Sequence, residues 1–141
     1  MAAILCRPDG HKPELLLKNK AGSVKSSDII EYLEELKKHV GRRKLLLIWD
    51  GLPAHRSKLV TKFLKKQKRW LKVIRYPAYA PELNPPEYLW SAMKGKDLSG
   101  LRPEGCKGLI KAVEKSRKRI ENDQQLLKGF LAASELFDYS S

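Results

Sequence analysis

Hydrophobic positions along this chain alternate between short runs and helical stripes, which predicts an α/β domain. Met1 to Arg7 reads as a short strand, Pro8-Asp9-Gly10 has turn chemistry, and Glu14-Leu15-Leu16-Leu17-Lys18 reads as the returning strand. Together they predict an antiparallel hairpin. After a turn around Ala21-Gly22-Ser23, the residues Ile29, Ile30, Leu33, Leu36 and Val40 make one stripe at helical spacing. Ser27 or Asp28 can cap that helix, with Glu31 three positions after Asp28 as in a capping box, and Gly41 is its natural stop.

Lys44 to Trp49 runs apolar without alternation, the pattern of a strand covered on both faces in a parallel sheet. Asp50 follows at its carboxyl end, where open α/β sheets bind ligands. Ser57 can cap a second helix with Leu59, Val60, Phe63 and Leu64 facing inward. Leu71-Lys72-Val73-Ile74-Arg75-Tyr76 then predicts a further parallel strand. The loop from Pro77 to Pro86 is too rich in proline for helix or central strand. It leads into a helix with Asn84 as N-cap, Pro85 first and Glu87 third. Beyond Leu98, two more helices are expected: one through Leu109, Ile110, Val113 and Ile120, the other capped by Asp123 and bearing Leu126, Leu127, Phe130 and Leu131.

A length of 141 residues suits one domain, and 42% hydrophobic with 32% charged residues suits a globular chain with a charged surface. The longest apolar run, six residues from Met1 to Cys6, is far short of a membrane span, and the N-terminus has no basic leader. Cys6 and Cys106 lack metal-site or disulfide-framework spacing, so the expectation is an intracellular protein with free thiols. Charge sharpens this further. A net charge of +13 favours polyanionic partners, and nine basic residues with no acid lie between Arg56 and Arg75. Lys58, Lys62, Lys65, Lys66 and Arg69 share one helical face, suited either to solvent or to a phosphate backbone.

Two acids stand at the ends of predicted elements. Asp50 can simply stabilise the turn after its strand, and Glu87 can reach back to the N–H of its cap. His55 has no Cys, Asp or Glu at ligand spacing beside it, which suits orienting the loop after Asp50 or touching phosphate. Their joint context says more. Asp50-Gly51-Leu52-Pro53-Ala54-His55 is followed by Tyr79-Ala80-Pro81-Glu82-Leu83-Asn84-Pro85-Pro86-Glu87-Tyr88-Leu89-Trp90, with Glu87 placed 37 positions after Asp50. In composition, order and spacing the two blocks resemble the DDE transposases of the mariner superfamily, within it the branch found in bacterial insertion sequences. Gly51 departs from that family's usual Asn at its position.

The resemblance implies an α/β, ribonuclease-H-like mixed sheet flanked by helices. Residues 1–97 would form a partial DDE catalytic domain lacking its first catalytic strand, and residues 98–141 a helical C-terminal extension of the same domain. It implies DNA cleavage and strand transfer with two Mg²⁺ ions roughly 3.5–4 Å apart, held by three carboxylates. Asp50 and Glu87 would be the second and third of these acids, both catalytic and metal-binding. The DNA contacts expected are His55, Arg56, Lys58, Lys62, Lys65, Lys66, Arg69 and Lys94. Asp9, Glu14 and Asp28 read as turn, strand-start and helix-cap residues, so none replaces the first acid.

Further expectations follow from that gap. The 141 residues alone have little or no strand-transfer activity, and a sheet without its central strand has altered pairing or relies on a partner. That partner would be a separate N-terminal transposase segment supplying the first Asp and a helix-turn-helix, within a homo-oligomeric, DNA-associated, cytoplasmic complex. The competing reading is a non-catalytic, basic DNA-binding module or regulator derived from a transposase. A phosphatase of the haloacid-dehalogenase type is disfavoured because Leu52 stands where its second acid belongs. A Rossmann site is disfavoured because no glycine-rich strand-to-helix turn occurs.

Overall fold

The computed structural model describes residues 1–7, 12–18, 20, 22–97 and 105–134. In order, its elements are β1 (Ala2–Leu5), β2 (Glu14–Leu17), α1 (Ser26–Val40), β3 (Leu45–Trp49), a 3-10 turn (Pro53–Arg56), α2 (Lys58–Lys66) and β4 (Leu71–Arg75). A second 3-10 turn (Pro81–Leu83), α3 (Pro85–Ala92), one turn of π-helix (Met93–Asp97), α4 (Gly105–Asn122) and α5 (Gln124–Ala133) complete them. The chain divides into two compact units, Lys20–Ala80 and Met1–Asn19 with Pro81–Ser141.

In the first of these units, α1 buries Ile29, Leu33, Leu36 and Val40 of the predicted stripe and leaves Ile30 half-buried. The helix begins earlier than its cap signals suggested, because Asp28 occupies the third helical position instead of the cap. From there its Oδ2 accepts the Lys25 N–H at 2.7 Å and the ammonium of Lys20. At the other end Gly41 adopts φ +64 and donates its N–H to the Lys37 carbonyl at 3.0 Å, which ends the helix in a conformation that costs glycine little.

β3 and β4 are parallel, with partners running from Leu45↔Leu71 to Trp49↔Arg75. Ser57 caps the intervening α2, its Oγ accepting the Val60 N–H at 3.2 Å. Val60 is buried and Phe63 and Leu64 are half-buried, whereas Leu59 is 54% exposed, contrary to expectation. At about 100° per residue Leu59 falls beside Lys66, at the margin of the apolar stripe. The strand reading also needs correction. Leu46 and Ile74 are 51% and 45% exposed, so β3 is not covered on both faces. Successive strand residues point to opposite faces, and of β3 and β4 only the face bearing Trp49 and Leu71 places buried side chains.

In the other unit β1 and β2 form the predicted antiparallel hairpin, from Ala2↔Leu17 to Leu5↔Glu14. Its turn at Pro8-Asp9-Gly10 lies outside the described residues. One core gathers Leu15 of β2, Leu89 of α3, Met93 of the π-helical turn, Ile120 of α4, and Leu127 and Phe130 of α5. Asp123 caps α5 by accepting the Leu126 N–H at 2.9 Å, and Gln124 Nε2 donates to the Pro13 carbonyl at 3.2 Å. These contacts tie the start of α5 to the hairpin. No helix among the described residues is long and apolar enough to cross a membrane.

Candidate functional site

Asp50 is the first residue past β3. The ladder ends when the Tyr76 N–H donates to the Trp49 carbonyl at 2.8 Å, so the Asp50 carbonyl is released from sheet pairing. The chain then turns. Leu52 N–H donates to Asp50 Oδ1 at 3.2 Å, a local turn bond typical of Asp. Pro53 opens the 3-10 turn, which brings His55 back over the strand end. His55 Nδ1 lies 2.8 Å from Asp50 Oδ1 and 3.1 Å from the Asp50 carbonyl oxygen. Both are acceptors, so Nδ1 carries a proton in this arrangement.

The imidazole also lies flat on the Trp49 indole, with centroids 4.2 Å apart and planes inclined by 4°. Asp50 is thus held from two sides through Oδ1, while Oδ2 and His55 Nε2 have no protein partner among the described residues. Its side chain is 37% exposed. An anionic oxygen is therefore oriented, partly desolvated and open to a ligand. Sequence reading missed Trp49 as part of this arrangement. It scores there only as the last apolar residue of a strand, and its contact with His55 exists only once the 3-10 turn forms.

Glu87 sits in the other unit, at the third position of α3, with its N–H bonded to the Asn84 carbonyl at 2.9 Å. Its simplest structural role was to bond the backbone N–H of Asn84. That N–H is instead donated to the Pro81 carbonyl at 3.0 Å, and the Glu87 side chain is exposed. The positive end of the short helix favours a carboxylate there. Next to it, the Tyr88 hydroxyl lies 2.9 Å from the Glu82 carbonyl oxygen and 3.0 Å from that of Ala133. One hydroxyl proton serves both, linking the start of α3 to the end of α5. Sequence offered no signal for this link across 45 positions.

Asp50 and His55 are therefore brought together within one unit, and Glu87 is set by the internal packing of the other. Among the described residues no group of three or more His, Cys, Asp or Glu side chains is arranged to hold a metal ion. Arg56, Lys58, Lys62, Lys65, Lys66 and Arg69 are all exposed, as is Lys94 in the π-helical turn. Lys58, Lys62 and Lys65 recur at helical spacing on the solvent side of α2, opposite buried Val60.

Residues 9–104 match the family model described as DDE superfamily endonuclease, a span that includes both Asp50 and Glu87. No curated protein matches the chain. Among solved structures, a chain in the crystal structure of the Mos1 strand transfer complex is similar, with a TM-score of 0.55 at 19% sequence identity. The likeness covers 89% of this chain but 40% of that one, and it is a likeness of fold, α/β and ribonuclease-H-like. The family match extends over more than half of the 141 residues: the chain belongs to the DDE superfamily endonucleases.

Proposed function

We propose that this chain is transposase catalytic-domain sequence for DNA cleavage and strand transfer at insertion-sequence ends, with Asp50 and Glu87 as two of its catalytic carboxylates. The observation that carries the reading is Asp50 at the end of β3, with Oδ1 tied to His55 and Leu52 and Oδ2 left open. The exposed Glu87, released from capping, supports it from its own unit. Both acids offer hard anionic oxygens, the donor type that Mg²⁺ takes. When bound, such ions make an attacking water or 3′-hydroxyl nucleophilic and stabilise the leaving oxygen. His55 fixes the Asp50 rotamer through Nδ1, and in the imidazolium form its open Nε2–H can donate to a phosphate oxygen.

Two carboxylates make a weak set for two divalent cations, so the 141 residues alone have little activity. A segment bearing a further Asp would complete them, and the active complex is homo-oligomeric. Residues 98–141 then serve as an extension of the catalytic domain, with α5 packed on α3.

The test is nicking and joining of labelled DNA ends in Mg²⁺ or Mn²⁺. It compares the 141-residue chain with a fusion that adds an Asp-bearing strand ahead of β1. Activity in the fusion that disappears in Asp50→Asn and Glu87→Gln supports the reading. An inactive fusion, or variants that cut as well as their parent, overturns it.

The exposed basic side of α2 favours a second reading, a non-catalytic DNA-binding module or regulator. In that case Asp50→Ala and Glu87→Ala keep full DNA affinity, and no completed form acquires activity.

A further inference from the structure

Tyr79 stands apart in two respects. Among the described residues it is the non-glycine residue with positive φ, at +58. Among the described residues it is also the most exposed large hydrophobic side chain, at 101% of its reference area. The left-handed region crowds the Cβ of a bulky residue, and an aromatic ring left in water forgoes the burial that usually accounts for its presence. Both features cost stability. Neither is offset within the fold, because the ring makes no hydrogen bond or ring contact among the described residues.

The surrounding sequence keeps the ring in this position. Pro77 precedes it by two residues and Pro81 follows by two, and Pro81 restricts Ala80 to extended backbone. A stiff loop therefore presents a fully solvated aromatic face. On the N-terminal side of the ring the charge is of one sign, while Glu82 stands three residues after it. Arg75 and Lys72 of β4 are exposed, and no acid occurs from Arg56 to Arg75. An exposed aromatic ring beside basic residues is the combination that binds unpaired nucleic-acid strands, by stacking on bases and attracting the backbone. An acidic protein surface would use the cations but has no need of a bare ring on a strained backbone. We infer that Tyr79 is a stacking platform for an unpaired nucleobase of DNA. This rests on the DNA-acting role proposed above only for the identity of the polymer.

The test compares fluorescence anisotropy of a labelled single-stranded oligonucleotide with that of the matching duplex, at low salt. Parent protein, Tyr79→Phe, Tyr79→Ala and Tyr79→Gly are titrated, and their melting temperatures are measured alongside. Tyr79→Phe is expected to bind the single strand within twofold of the parent. Tyr79→Ala and Tyr79→Gly lose roughly fivefold to a hundredfold there and stay within twofold on the duplex. Glycine accepts the positive φ, so Tyr79→Gly melts no lower than the parent, which separates lost binding from lost folding.

Unchanged single-strand affinity in Tyr79→Ala overturns the inference. So does a loss in Tyr79→Phe equal to that in Tyr79→Ala, since the hydroxyl and not the ring would then be responsible. If Tyr79→Ala leaves DNA affinity intact but abolishes self-association in light scattering, the ring belongs to a protein interface. A parent protein that binds neither strand form overturns the DNA role itself, a result distinct from the others.

Discussion

The imidazole of His55 lies parallel to the indole of Trp49, 4.2 Å away, while its Nδ1 points at Asp50. Stack and hydrogen bond together fix the ring in one orientation and one tautomer. In the neutral state the proton therefore resides on Nδ1. Two-bond ¹H–¹⁵N correlation spectra should show that form for His55, in smaller proportion in Asp50→Ala, where only the backbone carbonyl at 3.1 Å still accepts from Nδ1. His55→Ala should also cost about 0.5–1.5 kcal/mol of stability through the lost ring pair. An Nε2–H signal in the parent protein would refute the arrangement.

Leu89 carries the packing beneath Glu87. It is fully buried among Leu15, Met93, Ile120, Leu127 and Phe130. Leu89→Ala removes its apolar contacts and leaves a cavity, with an expected loss of about 2–5 kcal/mol. Urea unfolding followed by circular dichroism measures it. A loss below about 1 kcal/mol would mean that this core is not closed around α3.

Tyr88→Phe isolates the hydroxyl link between α3 and α5. One neutral hydrogen bond contributes about 0.5–1.5 kcal/mol, so global stability should fall by no more than that. The sharper effect is local. Amide hydrogen exchange in the last turn of α5 and the first of α3 should quicken together, while α1 stays unchanged.

Acid should loosen the start of α1. The Lys20 ammonium, then the Lys25 N–H, hold the Asp28 carboxyl below its ordinary range despite its slight desolvation. A depressed folded-state pKa contributes stability above the unfolded value of about 3.9, and that contribution is lost as pH falls through the folded value. The stability difference between the parent and Asp28→Asn should therefore be constant near neutrality and shrink below about pH 4. A difference that grows on acidification would reverse the assignment.

Salt dependence reports how far α2, together with the turn after it that carries Arg69, engages a phosphate backbone. If Lys58, Lys62, Lys65, Lys66 and Arg69 each neutralise one phosphate, the logarithm of duplex affinity should fall with that of salt at a slope near −4.5, about −0.9 per contact. Lys62→Ala with Lys65→Ala should reduce the slope by about 2. An unchanged slope places the contacts elsewhere.

What the sequence by itself determined is whatever closes within one turn of chain. Ser57 and Asp123 cap the helices assigned to them, Gly41 ends α1, and Asn84 and Pro85 begin α3. Each of these depends on groups no more than four residues apart. The family was legible for a similar reason, because its two motif blocks are contiguous stretches.

Tertiary structure decided how the acids are held. Asp28 and Glu87 both occupy third helical positions, yet only Asp28 reaches back to its cap, because the Asn84 N–H is already taken by Pro81. His55 acquires its partners only when the 3-10 turn returns it to the end of β3, and Tyr88 only when α5 packs against α3. Exposure was also outside local reach. Leu46 and Ile74 look like buried strand residues in the sequence, but the face they share is left partly open to solvent. A hydrogen bond to a near neighbour is set by local geometry, whereas burial and long-range partners depend on which surfaces the folded chain covers.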